Sequence, residues 1–182
     1  MFLLKINDIA SFPILRERSF FILLILLISI HLNAQRYEFT AELQDAYNDI
    51  NTLELKLGQQ KISTIKNSDP SNLLVYHIEN YIDFFKCFIN EEEQEYKELS
   101  ENKDLRLYQI DQGPENSPYH RFSKAEIYLQ WALVELKFRK YVPALLGMHE
   151  AIKLLEENDR MYPDFLANKK SLSVLHALVG TI

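Results

Sequence analysis

Glycine and proline are scarce, at 4 and 6 in 182 residues. An all-β chain needs turn residues about every 8 to 12 positions, so this scarcity excludes a sheet protein and makes helix the default. Cysteine is scarcer still. Cys87, the single one, permits no internal disulfide and no cysteine-based zinc site. Its neighbours Phe84, Phe85, Phe88 and Ile89 are apolar. Such a setting raises a thiol pKa and suits a core residue rather than a nucleophile.

Basic charge is also short, with 20 Lys and Arg against 26 Asp and Glu and a net charge of −6. Without a basic face, non-specific nucleic-acid binding and docking on anionic lipid are both disfavoured. Catalytic motifs are missing as well. The histidines, His31, His77, His120, His149 and His176, are widely separated and form no HExxH pattern. There is no Gly-rich phosphate loop, GxSxG elbow or Asp-rich calcium loop. The expectation is a chain that is not an enzyme and holds no cofactor and no metal.

What is present is apolar material, at 47% hydrophobic and 12% aromatic residues, enough for a core. Part of it is concentrated at the start. Arg16 and Arg18 precede an apolar run over 20–30 interrupted only by Ser29, and a small residue, Ala34, follows. A basic region, a short apolar run and a small residue in that order mark a secretory signal peptide. Cleavage is expected after Ala34, although Leu32 is larger than the residue usual three positions before a cut. A membrane span needs about 20 mostly apolar residues, and this run falls short before Asn33, Gln35 and Arg36. No cysteine follows it to carry a lipid. The reading is export to the periplasm or cell envelope, with 1–34 removed, 35–182 as the folded domain and no stable span afterwards.

Residues 35–182 read as helices separated by short polar joints, on apolar spacings of three and four. The segments run over about 39–53, 55–66, 71–90, an acidic-headed stretch to about 110, 119–140, 142–159 and 164–182. The acidic head, Glu91, Glu92, Glu93 and Glu95, suits the positive end of a helix and reads as a solvated terminus rather than a metal site. The clearest loop is 111–118, with two prolines and a glycine. Long helices on short connectors predict antiparallel hairpins.

One stretch carries more. Over 125–158, Tyr128, Trp131 and Ala132 stand on one predicted helix, Tyr141 at the following turn, and Ala144, Met148 and Ala151 on the next. This pattern resembles a tetratricopeptide repeat, a roughly 34-residue helical hairpin. Small residues sit where the helices cross closely and large ones fill the gaps between. Glu135 and Glu156 depart from that family's pattern. Residues 39–72, with Ala46, Gly58 and Pro70, and 73–110 are looser versions.

The resemblance implies an all-α fold of stacked antiparallel hairpins, a short right-handed solenoid preceded by a signal-peptide helix. It also implies a non-catalytic scaffold for a protein or peptide partner. Such scaffolds bind on the face lined by the first helix of each hairpin, which suggests Arg121, Gln130 and Glu135 as candidate contacts. The alternative is an extracytoplasmic sensory or ligand-binding module of a longer signalling protein. The final segment has apolar Leu172, Leu175, Leu178, Val179 and Ile182 on more than one side. A solenoid normally ends on a helix with a polar outer face. The expectation is an incomplete carboxyl-terminal repeat, or association through this helix.

Overall fold

The structure, a computed structural model, describes residues 34–180. The chain divides into units 1–34 and 35–182, and the fold below is that of the second. The expected signal peptide and its cleavage point lie outside the described residues except for Ala34.

The described residues are helical, with α1 Ala41–Asn51, α2 Leu55–Ser68, α3 Leu74–Asn90, α4 Glu93–Ser100, α5 Asn102–Asp111, α6 Pro118–Lys137, α7 Tyr141–Met161 and α8 Leu166–Val179. No strand occurs among them, only an isolated bridge between Arg36 and Asn72. That bridge ties the arm before α1 to the loop before α3. Arg36 forks onto Asp69 at 3.1 and 2.7 Å, while Asn72 pairs with both backbone groups of Glu38 at 3.1 and 2.8 Å. Thr40 then caps α1 by accepting from the Leu43 amide at 3.2 Å, which satisfies one otherwise orphaned donor.

The hairpin of α1 and α2 turns at Leu53, which takes a left-handed φ of 67°. It closes tightly because Gly58 has no side chain. A β-carbon there would come within 2.4 Å of Ile50 Cγ1. Leu43, Ala46, Ile50 and Ile62 meet Leu74, Ile78 and Ile82 of α3 in the first core cluster. Each fully buried Leu or Ile in it contributes roughly 1.5–3 kcal/mol.

α3 ends on Glu91 in a left-handed conformation, φ 56°. The acidic stretch expected as one helix is two, α4 and α5, with Glu101 between them. α5 is held against α3, where Asn102 donates to Asp83 at 2.8 Å and Arg106 pairs with the same carboxylate at 2.5 Å. A second cluster joins Cys87, Tyr96, Leu107, Ile110, Ile127, Trp131 and Val134. Through its middle runs a polar network. Asn80, fully buried, accepts from Trp131 Nε1 at 3.0 Å and Arg106 at 3.0 Å and donates to Gln130 at 2.7 Å.

α6 and α7 form the longest hairpin, turning at Arg139 with φ 58°. A β-carbon on Gly147 would stand 3.3 Å from Ala132 Cβ and 3.3 Å from the Tyr128 carbonyl, so the helices approach closely there. The third cluster, Ala125, Leu129, Ala151, Leu155 and Leu175, brings in α8. Asn168 pins α8 by donating to the Leu155 carbonyl at 2.7 Å and accepting from Asn158 at 3.2 Å. Each helix packs on the next, and α1, α3 and α6 also pack on one another in order.

Of the residues expected to pack the hairpin, Trp131, Ala132, Ala144, Met148 and Ala151 are buried and Tyr128 is half-buried. Tyr141 differs. It opens α7 and is 59% exposed. At that end the aromatic contact belongs to Phe138, stacked on Tyr96 at 4.7 Å. The exposed residues Val142, Leu145 and Leu146 lie beside Tyr141 on α7. On the final helix Leu175 is buried, while Leu166 and Val174 are exposed.

Candidate functional site

Helices α1, α3, α6 and α8 surround a cavity of about 360 Å³. The arm and α1 contribute Phe39 and Tyr47, and α3 contributes Leu74, His77, Ile78 and Tyr81 on one helical stripe. From α6 come Tyr119, Phe122, Glu126 and Leu129, again spaced by three and four, and from α8 Ala167, Lys170, Ser171 and Val174. These spacings place each set on one face of its helix.

The aromatic rings form a connected series. Phe39 meets Tyr47 edge-on at 5.9 Å, Tyr47 meets Tyr81 at 5.4 Å, and Tyr81 meets His77 at 5.6 Å. His77 in turn meets Phe122 at 5.6 Å, and Phe122 meets Phe165 at 5.3 Å. All but the tilted Tyr81–His77 pair are edge-to-face, an arrangement that suits the quadrupoles of the rings.

Polar groups are few and convergent. Glu126 is 8% exposed. Tyr81 donates to its Oε2 at 3.1 Å and Ser171 to its Oε1 at 2.5 Å. Burial raises the carboxyl pKa, and the two hydroxyl donors, followed by the charge of Lys170, pull against that. Burial, followed by the neighbouring Glu126 charge, pushes the Tyr81 hydroxyl well above its ordinary value. His77 is 4% exposed, and burial lowers its pKa to about 3, so it is neutral at physiological pH. Its Nδ1 lies 3.3 Å from Ser123 Oγ, and its Nε2 has no hydrogen-bond partner.

Buried acids elsewhere are matched by cations. Asp83 has Arg106 at 2.5 Å and Glu135 has Lys103 at 3.5 Å. Among the described residues Glu126 alone of these three buried acids has no cation within ion-pair distance. Lys170, which also lines the cavity, is exposed.

A second cavity, of about 460 Å³, lies between α2, α3 and the α4–α5 pair. Four of its charges pair among themselves, Lys66 on Glu79 at 3.0 Å and Arg106 on Asp83 at 2.5 Å. No group of three or more His, Cys, Asp or Glu suited to a metal ion occurs among the described residues. None of the described helices is long and apolar enough to cross a membrane.

Two of the three surface residues expected on α6 are placed otherwise. Gln130 is 4% exposed and bonded to Asn80, and Glu135 is 6% exposed and paired with Lys103. Both face neighbouring helices. Arg121 is half-buried, donates to the Glu115 carbonyl at 2.9 Å and lies 3.8 Å from Glu157. The face of α6 turned to the cavity is instead the one bearing Phe122, Glu126 and Leu129. The available signal was the four-residue spacing of His77 with Tyr81 and of Phe122 with Glu126, polar groups set one turn from aromatic ones. Cys87 is fully buried, and burial, then the nearby Asp83 and Glu95 charges, pushes its thiol up to about 12.

Compared with known protein families, curated proteins and solved structures, the chain matches no family model, no curated protein and no solved structure.

Proposed function

We propose that this chain is an exported, non-catalytic recognition module, built like a short tetratricopeptide solenoid and binding a protein or peptide partner. Recognition is placed at the cavity between α1, α3, α6 and α8. The observation that carries the reading is that cavity: an aromatic wall with a few convergent polar groups, contributed by the first helix of each hairpin. It is the face on which scaffolds of the resembled type bind. The packing of α1, α3 and α6 on one another in order supports the stacked-hairpin part of the reading. The apolar run over 20–30 behind Arg16 and Arg18 supports export to the periplasm or cell envelope.

A second reading, a small-ligand sensory module, is favoured by one specific observation. The volume of about 360 Å³ lies in the range of small-molecule sites, roughly 300–1,000 Å³.

The test is capture of a partner from envelope extract by the full chain and by Val174→Trp. Val174 lines the cavity and is 44% exposed, so the indole fills the site without entering the core. The expected result is a partner retained by the parent chain and lost with the variant. A partner that binds both equally would move recognition to another face.

A further inference from the structure

The polar content of the cavity gives the chemistry of what it takes, if the cavity is the recognition site proposed above. We infer that it is a site for an organic cation, an ammonium group set in apolar carbon, held between Glu126 and the rings of Tyr47, Tyr81 and Phe122.

The argument starts from charge. Asp83 and Glu135 are buried beside Arg106 and Lys103, because an unpaired carboxylate in a low-dielectric interior is costly. Glu126 is buried to the same degree with only neutral donors, Tyr81 and Ser171. Tyr81 occupies one lone pair of Oε2 and Ser171 one of Oε1, leaving the carboxylate able to accept more. Among the described residues Lys170 acts on this carboxylate only from beyond ion-pair distance, and a cationic ligand would supply the close partner.

The walls agree with this. A cation over the faces of aromatic rings is attracted by their quadrupoles, with a greater effect when desolvated. Phe39, Tyr47, Tyr81 and Phe122 come from three separate parts of the fold to line one space. Among the described lining residues the one positive charge is Lys170, which is exposed on α8, and His77 is neutral. The lysine is the one lining group that would favour an anion instead, and an anion would have to sit beside Glu126. The cation can be a free amine or the basic side chain of a partner, since the recognising chemistry is the same.

Titration calorimetry on the purified full chain tests this with matched probes: choline, its uncharged carbon analogue 3,3-dimethylbutan-1-ol, and the anion 3,3-dimethylbutanoate. Benzyltrimethylammonium serves as a larger cation. The expected result is binding of the cations at least about tenfold tighter than the alcohol, with the anion weakest. Glu126→Gln keeps the shape and an acceptor for Tyr81, and is expected to bring choline to within about threefold of the alcohol. Tyr47→Leu, at a half-buried wall position, keeps the carboxylate and is expected to weaken the cations more than the alcohol.

A peptide with trimethyllysine that outcompetes choline assigns the cation to a partner's side chain, and the reverse assigns it to a free amine. Both outcomes support the inference. Equal or tighter binding of the alcohol or the anion overturns it, as does a cation preference that survives in Glu126→Gln. If no probe binds while Val174→Trp still abolishes capture, the inference falls and the recognition site stands. If capture is also unaffected, both fall.

Discussion

His77 makes the pH dependence of stability a direct measure of the cavity floor. Its folded-state pKa is about 3 because burial penalises the imidazolium, whereas an unfolded chain leaves it near 6.5. A group with a depressed folded value stabilises the fold in full above its unfolded value and loses that contribution as pH falls toward the folded one. The window is therefore pH 6.5 down to about 3. At about 1.4 kcal/mol per pH unit, the loss between pH 7 and pH 4 is roughly 3 kcal/mol, and it approaches about 5 kcal/mol below pH 3.

Glu126 and Glu135 act in the opposite sense. Their values are raised by burial, so they favour folding as pH falls from those raised values toward 4.5. His120, lowered by burial and Lys124, has the same sign as His77. Subtraction removes all three. Urea unfolding of the parent and of His77→Asn at pH 7, 6, 5 and 4 gives two curves of stability against pH. Asn retains an amide near the position that meets Ser123. The difference between the curves is expected to close by roughly 3 kcal/mol as pH drops from 7 to 4. Parallel curves would refute the placement of an uncharged His77 in the interior.

Three further outcomes follow from the packing. Asn80→Leu removes the acceptor of Trp131 Nε1 and Arg106 and the donor to Gln130. It should cost about 3 kcal/mol in urea unfolding, and a cost below about 1 kcal/mol would contradict the network. Gly58→Val drives a side chain into Ile50. It should lower stability by about 1–3 kcal/mol, partly recovered when Ile50→Ala makes room. Cys87 should not react with a thiol reagent at pH 8 until denaturant opens the second cluster, because it is fully buried with its thiol pushed up to about 12.

The helices were legible because their apolar spacing is local. Leu74, Ile78 and Ile82 repeat at four residues, and Pro70 and the 111–118 loop punctuate the chain. The break at Glu101 was not legible. No Gly or Pro stands there, and α5 is set apart by contacts from Asn102 and Arg106 to Asp83 on another helix. Left-handed turns at Leu53, Glu91 and Arg139 were equally hidden, since none is a glycine.

The cavity was hidden for a related reason. In sequence Phe39, Tyr47, Tyr81 and Phe122 are four among 21 Phe and Tyr residues, and His77 is one of five scattered histidines. Glu126 is one of 26 acids, and only assembly shows that no cation among the described residues lies within ion-pair distance of it. Gln130 and Glu135 drew attention as polar positions on α6, but their polarity serves helix-to-helix bonds inside the fold.

The core is three clusters in series, one with α1 to α3, one with α3 to α6 and one with α6 to α8. A fold of this kind can open at one end while the middle stays closed, since sub-global unfolding follows local contact density. Ties from Leu175, Asn168 and Ser171 hold α8 at the far end. Tyr47 on α1 nevertheless lines the same space as Ser171 and Val174 on α8. An occupant of that space would therefore act as a clasp between the first and last clusters, which share no cluster residue. Its signature would be slowed amide exchange in both α1 and α8 at once, two helices that no single core cluster contains.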